Sequence, residues 1–346
     1  MGSAAKIDRD AIGAAADSLF APDALHGASL ALVVQVDGEV VFERYGTQPD
    51  TPFGPGEPVD AGTTLISWSM AKSITHAAVG LLVAEGELDV DAPAPVAEWH
   101  GTEKASITLQ HLLTMSSGLE FVEGYVDAGV SHCIEMLFGS GRDDMAAYAA
   151  ALPLAHAPGS HWNYSSGTTN IVAAIVGDVV ARHAGVSSDG AAGRGEAMRA
   201  WLADRLFGPL GMESATPKFD GAGTFVGSSF VYATARDFAR FGEMYRRRGR
   251  AADGRQVLPE WWVDHARRQA AVDPESGFGY GAHWWLWPDL PGAVAAHGYE
   301  GQYTLVEPGR GLVAVHLGKV PAEHRDAVVD RLRDVVAAVG QADGAR

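Results

Sequence analysis

The feature that most constrains the fold is where β-type sequence falls: it stands at both ends of the chain, with helical periodicity filling the middle. Near the start, ASLALVVQV and EVVFERYG are two β-rich runs separated by Asp37-Gly38, a strong hairpin signal. Near the end, YTLVEP and GLVAVHLG flank the Pro-Gly-Arg-Gly turn at 308–311. Between them, apolar residues recur at helical spacing over 69–84, 143–151, 168–184, 195–206, 234–247 and 259–270. A shorter helix is expected in ITLQHLLTMSSGL, capped by Thr108 and followed by Gly118. Amphipathic helices at 7–19 and 322–339 bracket the chain. The pattern predicts an α+β protein with one antiparallel sheet built from both termini, flanked by helices, and a mainly helical domain inserted in it. The expected division is 1–75 with 272–346 for the sheet domain and 76–271 for the helical one, with the active site between them. The Gly/Ser-rich stretch 185–195 reads as a flexible insertion.

Composition removes several functions. The formal net charge is -17, so no basic stripe is available to displace counterions from phosphates, and nucleic acid is excluded as a partner. The local run Arg246, Arg247, Arg248 and Arg250 reads as a solvated helix C-terminus. Cys133 is the only cysteine, which rules out an intrachain disulfide and reads as a small buried side chain. No run of about 18 apolar residues is present, so no membrane span is expected. The first residues lack a signal-peptide core. A soluble cytoplasmic enzyme follows, unless a signal peptide has been trimmed. Its partner would be a small molecule, and the oligomeric state is not legible.

Three segments can carry chemistry. In Ser69-Met70-Ala71-Lys72 the hydroxyl and the amine lie three residues apart on one helix face. A desolvated lysine can take the serine proton, and the Ser69 N–H at a helix start can hold an oxyanion. Ser3-Ala4-Ala5-Lys6 has the same spacing, so spacing does not decide; only Ser69 opens an apolar helix, and Lys72 is one of five lysines. In the second segment, Trp162-Asn163-Tyr164-Ser165-Ser166-Gly167, Tyr164 can relay a proton, since a phenol beside an ammonium ionises more easily. A helix cap with a packed Tyr164 fits the same residues. The third segment, His297-Gly298-Tyr299-Glu300-Gly301, enters a strand whose edge could supply a second oxyanion donor, or it is a plain hairpin turn. No G-x-S-x-G, phosphate loop or H-E-x-x-H occurs, and His76 and His111 read as core or supporting residues rather than metal ligands. Neither a metal nor a cofactor is expected.

Taken together, ISWSMAKSI, ITLQHLLTMSSGLEF, PGSHWNYSSGTTNIVAAIVG, LFGPLGM, YATARDFARFGEMY, YGAHWWLWP and HGYEGQYTLVEPGRGLVAV, in this order, resemble the class C β-lactamase and penicillin-binding-protein-like serine hydrolases. The closer likeness is to the family VIII carboxylesterases and aminohexanoate-dimer hydrolases. The resemblance implies that Ser69 is the acylated nucleophile, Lys72 its proton acceptor and Tyr164 the shuttle to the leaving group. It puts Ser166, His297, Gly298, Tyr299 and Glu300 in the substrate and oxyanion region. It departs from the β-lactamases at Ser166, where they carry asparagine, and at His297-Gly298-Tyr299, where they carry Lys-Thr-Gly. A neutral histidine is a poor anchor for a β-lactam carboxylate, which favours ester or amide substrates. Trp162, Trp284, Trp285 and Trp287 are candidates for an acyl pocket, with part of the set expected in the core. A true β-lactamase, a D-amino-acid peptidase, an acyltransferase and a catalytically silent ligand-binding relative stay open as alternatives.

Overall fold

A computed structural model describes residues 6–21, 27–124, 131–187 and 190–340. Its main sheet has eight strands in the order β2-β1-β11-β10-β9-β8-β7-β6. The N-terminal hairpin gives β1 (Ala28–Val36) and β2 (Glu39–Tyr45). Asp37 and Gly38 between them both have positive φ, at 51° and 88°, as a tight hairpin matched to strand twist requires. The C-terminal part supplies β6 (Ala271–Val272), β7 (Gly279–Tyr280), β8 (Trp285–Leu286), β9 (Val294–Gly298), β10 (Gln302–Glu307) and β11 (Leu312–Lys319). β1 runs antiparallel to β11, so the first and last strands of the chain meet in mid-sheet. A smaller sheet joins β3 (Leu65–Ile66), β4 (Thr216–Pro217) and β5 (Val231–Ala233) in the order β3-β5-β4.

The near-continuous apolar run of β1 has a physical reason: both faces of the sheet are covered. Leu32, Val34 and Val36 face helices α1 (Arg9–Leu19) and α11 (Arg325–Ala337), meeting Ile12, Leu19, Val328 and Leu332. Ala31 and Val33 join the larger core on the other side. On that side lie α2 (Ala71–Ala84), α3 (Leu109–Leu113), α4 (His132–Phe138), α5 (Met145–Ala151), α6 (Ser166–His183), α7 (Ala191–Leu202), the single turn α8 (Gly208–Leu210), α9 (Ala235–Arg246) and α10 (Glu260–Arg267). Gly242 lets α9 press onto the sheet: a Cβ there would stand 2.8 Å from Val313 Cγ1 and 2.9 Å from Thr304 Cγ2. α9 thus packs on β1, β10 and β11, although it belongs in sequence to the helical stretch.

Several elements differ from the sequence reading. Ser69 lies in a 3₁₀ turn, Trp68–Met70, and the α-helix begins only at Ala71. α4 is not among the helices read from the sequence, and the two-residue strands β6 to β8 are too short for periodicity to register. α7 starts at Ala191, inside the segment read as a flexible insertion; Ser188 and Asp189 within it lie outside the described residues, as does Ser3. The arginine run is bridged as well as solvated: Arg246 pairs with Glu243 and Asp37, and Arg248 with Glu260 and Asp264. Cys133 is buried. Among the described residues, no helix is long and apolar enough to cross a membrane.

Candidate active site

The site forms where three chain entrances converge: the 3₁₀ turn leading into α2, the start of α6, and the end of β9. Lys72 sits one turn beyond Ser69, and its Nζ donates to Ser69 Oγ at 2.9 Å. It also donates to Ser166 Oγ at 3.0 Å and to the Ser228 carbonyl at 3.2 Å. At 2% exposure the lysine has no water to solvate it, so these three acceptors stand in. Its ammonium lies 4.8 Å from the centroid of the Tyr164 ring, and both Ser69 and the Lys72 charge act on the Tyr164 phenol. Ser69, Lys72, Tyr164 and Ser166 are therefore one connected group.

Ser165 caps α6 by accepting from the Thr168 N–H at 3.0 Å, which orients the first turn and turns Ser166 inward. Ser166, fully buried, faces Lys72 on one side. On the other its hydroxyl donates to Glu123 Oε1 at 2.5 Å and its N–H to Glu123 Oε2 at 2.7 Å. Glu123 escaped the sequence reading because it comes from an irregular segment after α3, at no diagnostic spacing from the other groups. Ser228 escaped it likewise. Its N–H donates to Asn170 Oδ1 at 3.1 Å, and Asn170 stands four residues after Ser166, a helical spacing that is a usable signal.

Burial pushes the Tyr164 phenol up, opposed by the Lys72 charge and reinforced by that of Glu123. The expectation that the neighbouring ammonium would ease ionisation is outweighed by desolvation: Tyr164 rests as a neutral phenol, a proton donor. His297 on β9 is also neutral. Burial, with Arg325 nearby, lowers it to about 3, and its Nε2 accepts the Trp287 indole N–H at 3.0 Å. Trp285 stacks on it at 5.2 Å. The four tryptophans divide: Trp162 and Trp285 line the cavity, Trp287 backs His297, and Trp284 is core against Phe241 and Tyr245.

Gly298, Tyr299 and Glu300 bring the other wall up to the nucleophile. A Cβ on Gly298 would be 2.4 Å from the Ser67 carbonyl oxygen, so glycine alone permits this approach of β9. Trp68 and Glu300 are both left-handed, at φ 43° and 61°, and the Trp68 indole donates to Glu300 Oε2 at 2.8 Å. Lys319 Nζ reaches the same oxygen at 2.7 Å. Ser69, Tyr164, His297, Gly298, Tyr299 and Glu300 border one cavity of about 630 Å³. Ser166 stands behind that cavity, bonded to Lys72. His76 and His265 are hydrogen-bonded at 3.2 Å with Trp262 stacked over both, and His111 closes the capping box of α3. Among the described residues no cluster of three or more His, Cys, Asp or Glu is arranged to hold a metal ion.

A buried lysine against a serine at a helix entrance, beside the end of β9, is an arrangement that suits nucleophilic catalysis. Residues 20–339 match the Beta-lactamase family model, and the chain belongs to that family. It is 31% identical over 298 residues to esterase EstB of Burkholderia gladioli, covering 72% of this chain and 73% of that one. To the 6-aminohexanoate-dimer hydrolase of Paenarthrobacter ureafaciens it is 28% identical over 271 residues, 73% of this chain and 65% of the relative. The crystal structure of a family VIII carboxylesterase superposes with a TM-score of 0.68 at 16% identity, over 94% of this chain and 96% of that one. The fold is that of the β-lactamases and transpeptidases, as the sequence resemblance implied.

Proposed function

We propose that the protein hydrolyses a neutral ester or amide through an acyl-enzyme on Ser69. Lys72 takes the Ser69 proton as the hydroxyl attacks the carbonyl carbon. The oxyanion is held by the Ser69 N–H and a backbone N–H of β9 just after His297. Tyr164, a neutral phenol, gives its proton to the leaving alcohol or amine and recovers one from the Lys72 side. Water then attacks the acyl carbon and releases the acid. The observation that carries the reading is the 2.9 Å contact between Lys72 Nζ and Ser69 Oγ, with the Tyr164 ring 4.8 Å from the same nitrogen.

The substrate class rests on charge. His297, where the β-lactamases carry a lysine, is neutral and engaged by Trp287, while Glu123, Asp273 and Glu275 line the cavity. The names of the relatives, an esterase and an amide-dimer hydrolase, point the same way. One observation favours a second reading, β-lactam hydrolysis: Arg325 also borders the cavity and could meet a carboxylate, although Asp326 lies 3.9 Å from its guanidinium.

Two measurements test this. A fluorophosphonate probe is expected to label the parent protein and not Ser69→Ala; equal labelling of both refutes the nucleophile. Initial rates on p-nitrophenyl esters, a linear amide and nitrocefin rank the substrates, and nitrocefin turnover far above ester turnover overturns the charge argument.

A further inference from the structure

Lys72 can take the Ser69 proton only as a neutral amine. Its Nζ lies within hydrogen-bond distance of three oxygens, Ser69 Oγ, Ser166 Oγ and the Ser228 carbonyl, a set that suits an ammonium with three N–H groups to give. Before it can take the Ser69 proton it must give one up. Of the three acceptors, the Ser228 carbonyl leads nowhere and Ser69 is the group to be activated. Only Ser166 passes on to a base, because its hydroxyl donates to Glu123 Oε1 at 2.5 Å.

We infer that Glu123 is the proton store of this site: through the Ser166 hydroxyl it withdraws a proton from Lys72, leaving a neutral amine facing Ser69. In the step, one Lys72 N–H bond breaks as that proton binds Ser166 Oγ. The original Ser166 O–H bond breaks as its proton binds Glu123 Oε1. The hydroxyl is regenerated, the ion pair becomes a neutral amine and a neutral carboxylic acid, and no proton enters or leaves. Deacylation ends with the same transfer reversed. The inference rests on the Ser69–Lys72 reading given above, and Glu123 acts only through Ser166 and Lys72, touching no reacting atom.

Geometry and surroundings favour this carboxylate as the store. Glu123 is held by the Ser166 N–H at 2.7 Å, at the N-terminus of α6, and by the Cys133 thiol at 3.7 Å, so its position is fixed. The other titratable groups facing the pair do not compete. Burial pushes the phenols of Tyr164 and Tyr280 up and holds His283 at about 3, so all three are neutral near pH 7. The acid also fills a gap in the sequence. The β-lactamase motif carries an asparagine where this chain has Ser166, and an asparagine amide cannot relay a proton as a hydroxyl can.

The test is the pH dependence of kcat/KM on a p-nitrophenyl ester in Glu123→Gln. In the parent the relay carries one proton in either form, so activity falls only when acid adds a second. Without the carboxylate, Lys72 must release its proton to solvent, which requires alkali. The acid limb is therefore expected to move alkaline by more than about one pH unit, with roughly tenfold or greater loss at pH 7 that is recovered as pH rises. A purely structural glutamate would lower activity by the same factor at every pH, and that result overturns the inference. If Glu123→Gln does not fold, as judged by its thermal melt, Ser166→Ala cuts the same wire with the carboxylate in place, and the same displacement is expected. Ser69→Ala run alongside separates the cases: loss of labelling there with an unmoved acid limb in Glu123→Gln sinks the relay alone. Persistent labelling in Ser69→Ala sinks the nucleophile and, with it, the relay.

Discussion

Gly298→Ala puts the oxyanion geometry under direct strain. An alanine Cβ would stand 2.4 Å from the Ser67 carbonyl oxygen and 2.9 Å from Gln302 Cβ. Carbon–oxygen contacts settle near 3.3 Å or beyond, so the two walls must part by about 0.9 Å. β9 cannot slide along its neighbour to escape. Gly298 is in register with Gln302, whose side-chain amide donates to the Gly318 carbonyl at 2.8 Å and accepts the Gly318 N–H at 3.0 Å. The displacement therefore falls on the gap between β9 and the turn that carries Ser69. Misplacement on the order of 1 Å costs about 10²-fold in rate, and loss of one oxyanion donor about 3 kcal/mol, which is a similar factor. Overpacking should cost about 1–3 kcal/mol of stability. Steady-state kinetics on a p-nitrophenyl ester should show kcat down about 100-fold with a small change in KM, in a protein whose melt shows it folded at the assay temperature. A folded Gly298→Ala enzyme with kcat within threefold of the parent would refute the claim that this spacing controls the rate.

Two further perturbations follow from the same contacts. Trp68→Phe keeps an aromatic ring against Phe230 and Tyr299 but removes the N–H donated to Glu300. Urea unfolding should show a loss of about 1–2 kcal/mol, and an unchanged midpoint would mean the bond carries no net stability. Burial lowers His265 to about 4, and His283 and His297 to about 3, from an ordinary value near 6.5. The unfolded chain therefore takes up protons that the folded one refuses. The stabilisation is complete above about pH 6.5 and lost as pH falls toward 3–4, by about 1–2 kcal/mol per histidine between pH 6.5 and 5. Unfolding free energies at pH 7 and 5 check the sign, and His265→Asn should flatten the slope; a slope unchanged in that variant removes His265 from the account.

Much of this fold was legible because its signals are local. Asp37-Gly38 fixes the first hairpin through backbone conformation alone, and Thr108, Ser165 and Thr234 each cap the helix that follows them. The site was legible in part for the same reason: Ser69 and Lys72 are one turn apart, and Tyr164 and Ser166 precede an apolar helix. What escaped is long-range. Glu123 meets Ser166 across 43 residues and Lys319 meets Glu300 across 19, and neither contact leaves any periodicity. Two-residue strands such as β7 and β8 leave none either, and they are set by pairing with β9 rather than by their own propensity.

The backbone around the nucleophile was illegible for a different reason. Outside glycine, six of the described residues have left-handed φ, and four of them, Trp68, Met115, His283 and Glu300, hold parts of this site. Met115 accepts the Asn163 N–H at 2.8 Å, which fixes the loop carrying Tyr164. The His283 carbonyl accepts the Ser73 hydroxyl at 2.7 Å, one residue beyond Lys72. Trp68 and Glu300 face each other across the two walls that the oxyanion reading requires. Each such residue costs on the order of 1–3 kcal/mol, and Trp68, Met115 and Glu300 are not residue types that a sequence rule would choose for that conformation. A cost of this size persists only where surrounding contacts over-determine the backbone. Here the Trp68–Glu300–Lys319 link, the close approach of Gly298 to Ser67 and the burial of His283 supply them. The strain and the chemistry therefore share a location because the same converging walls that hold Ser69 and Lys72 rigid enough to react also force the chain through those turns.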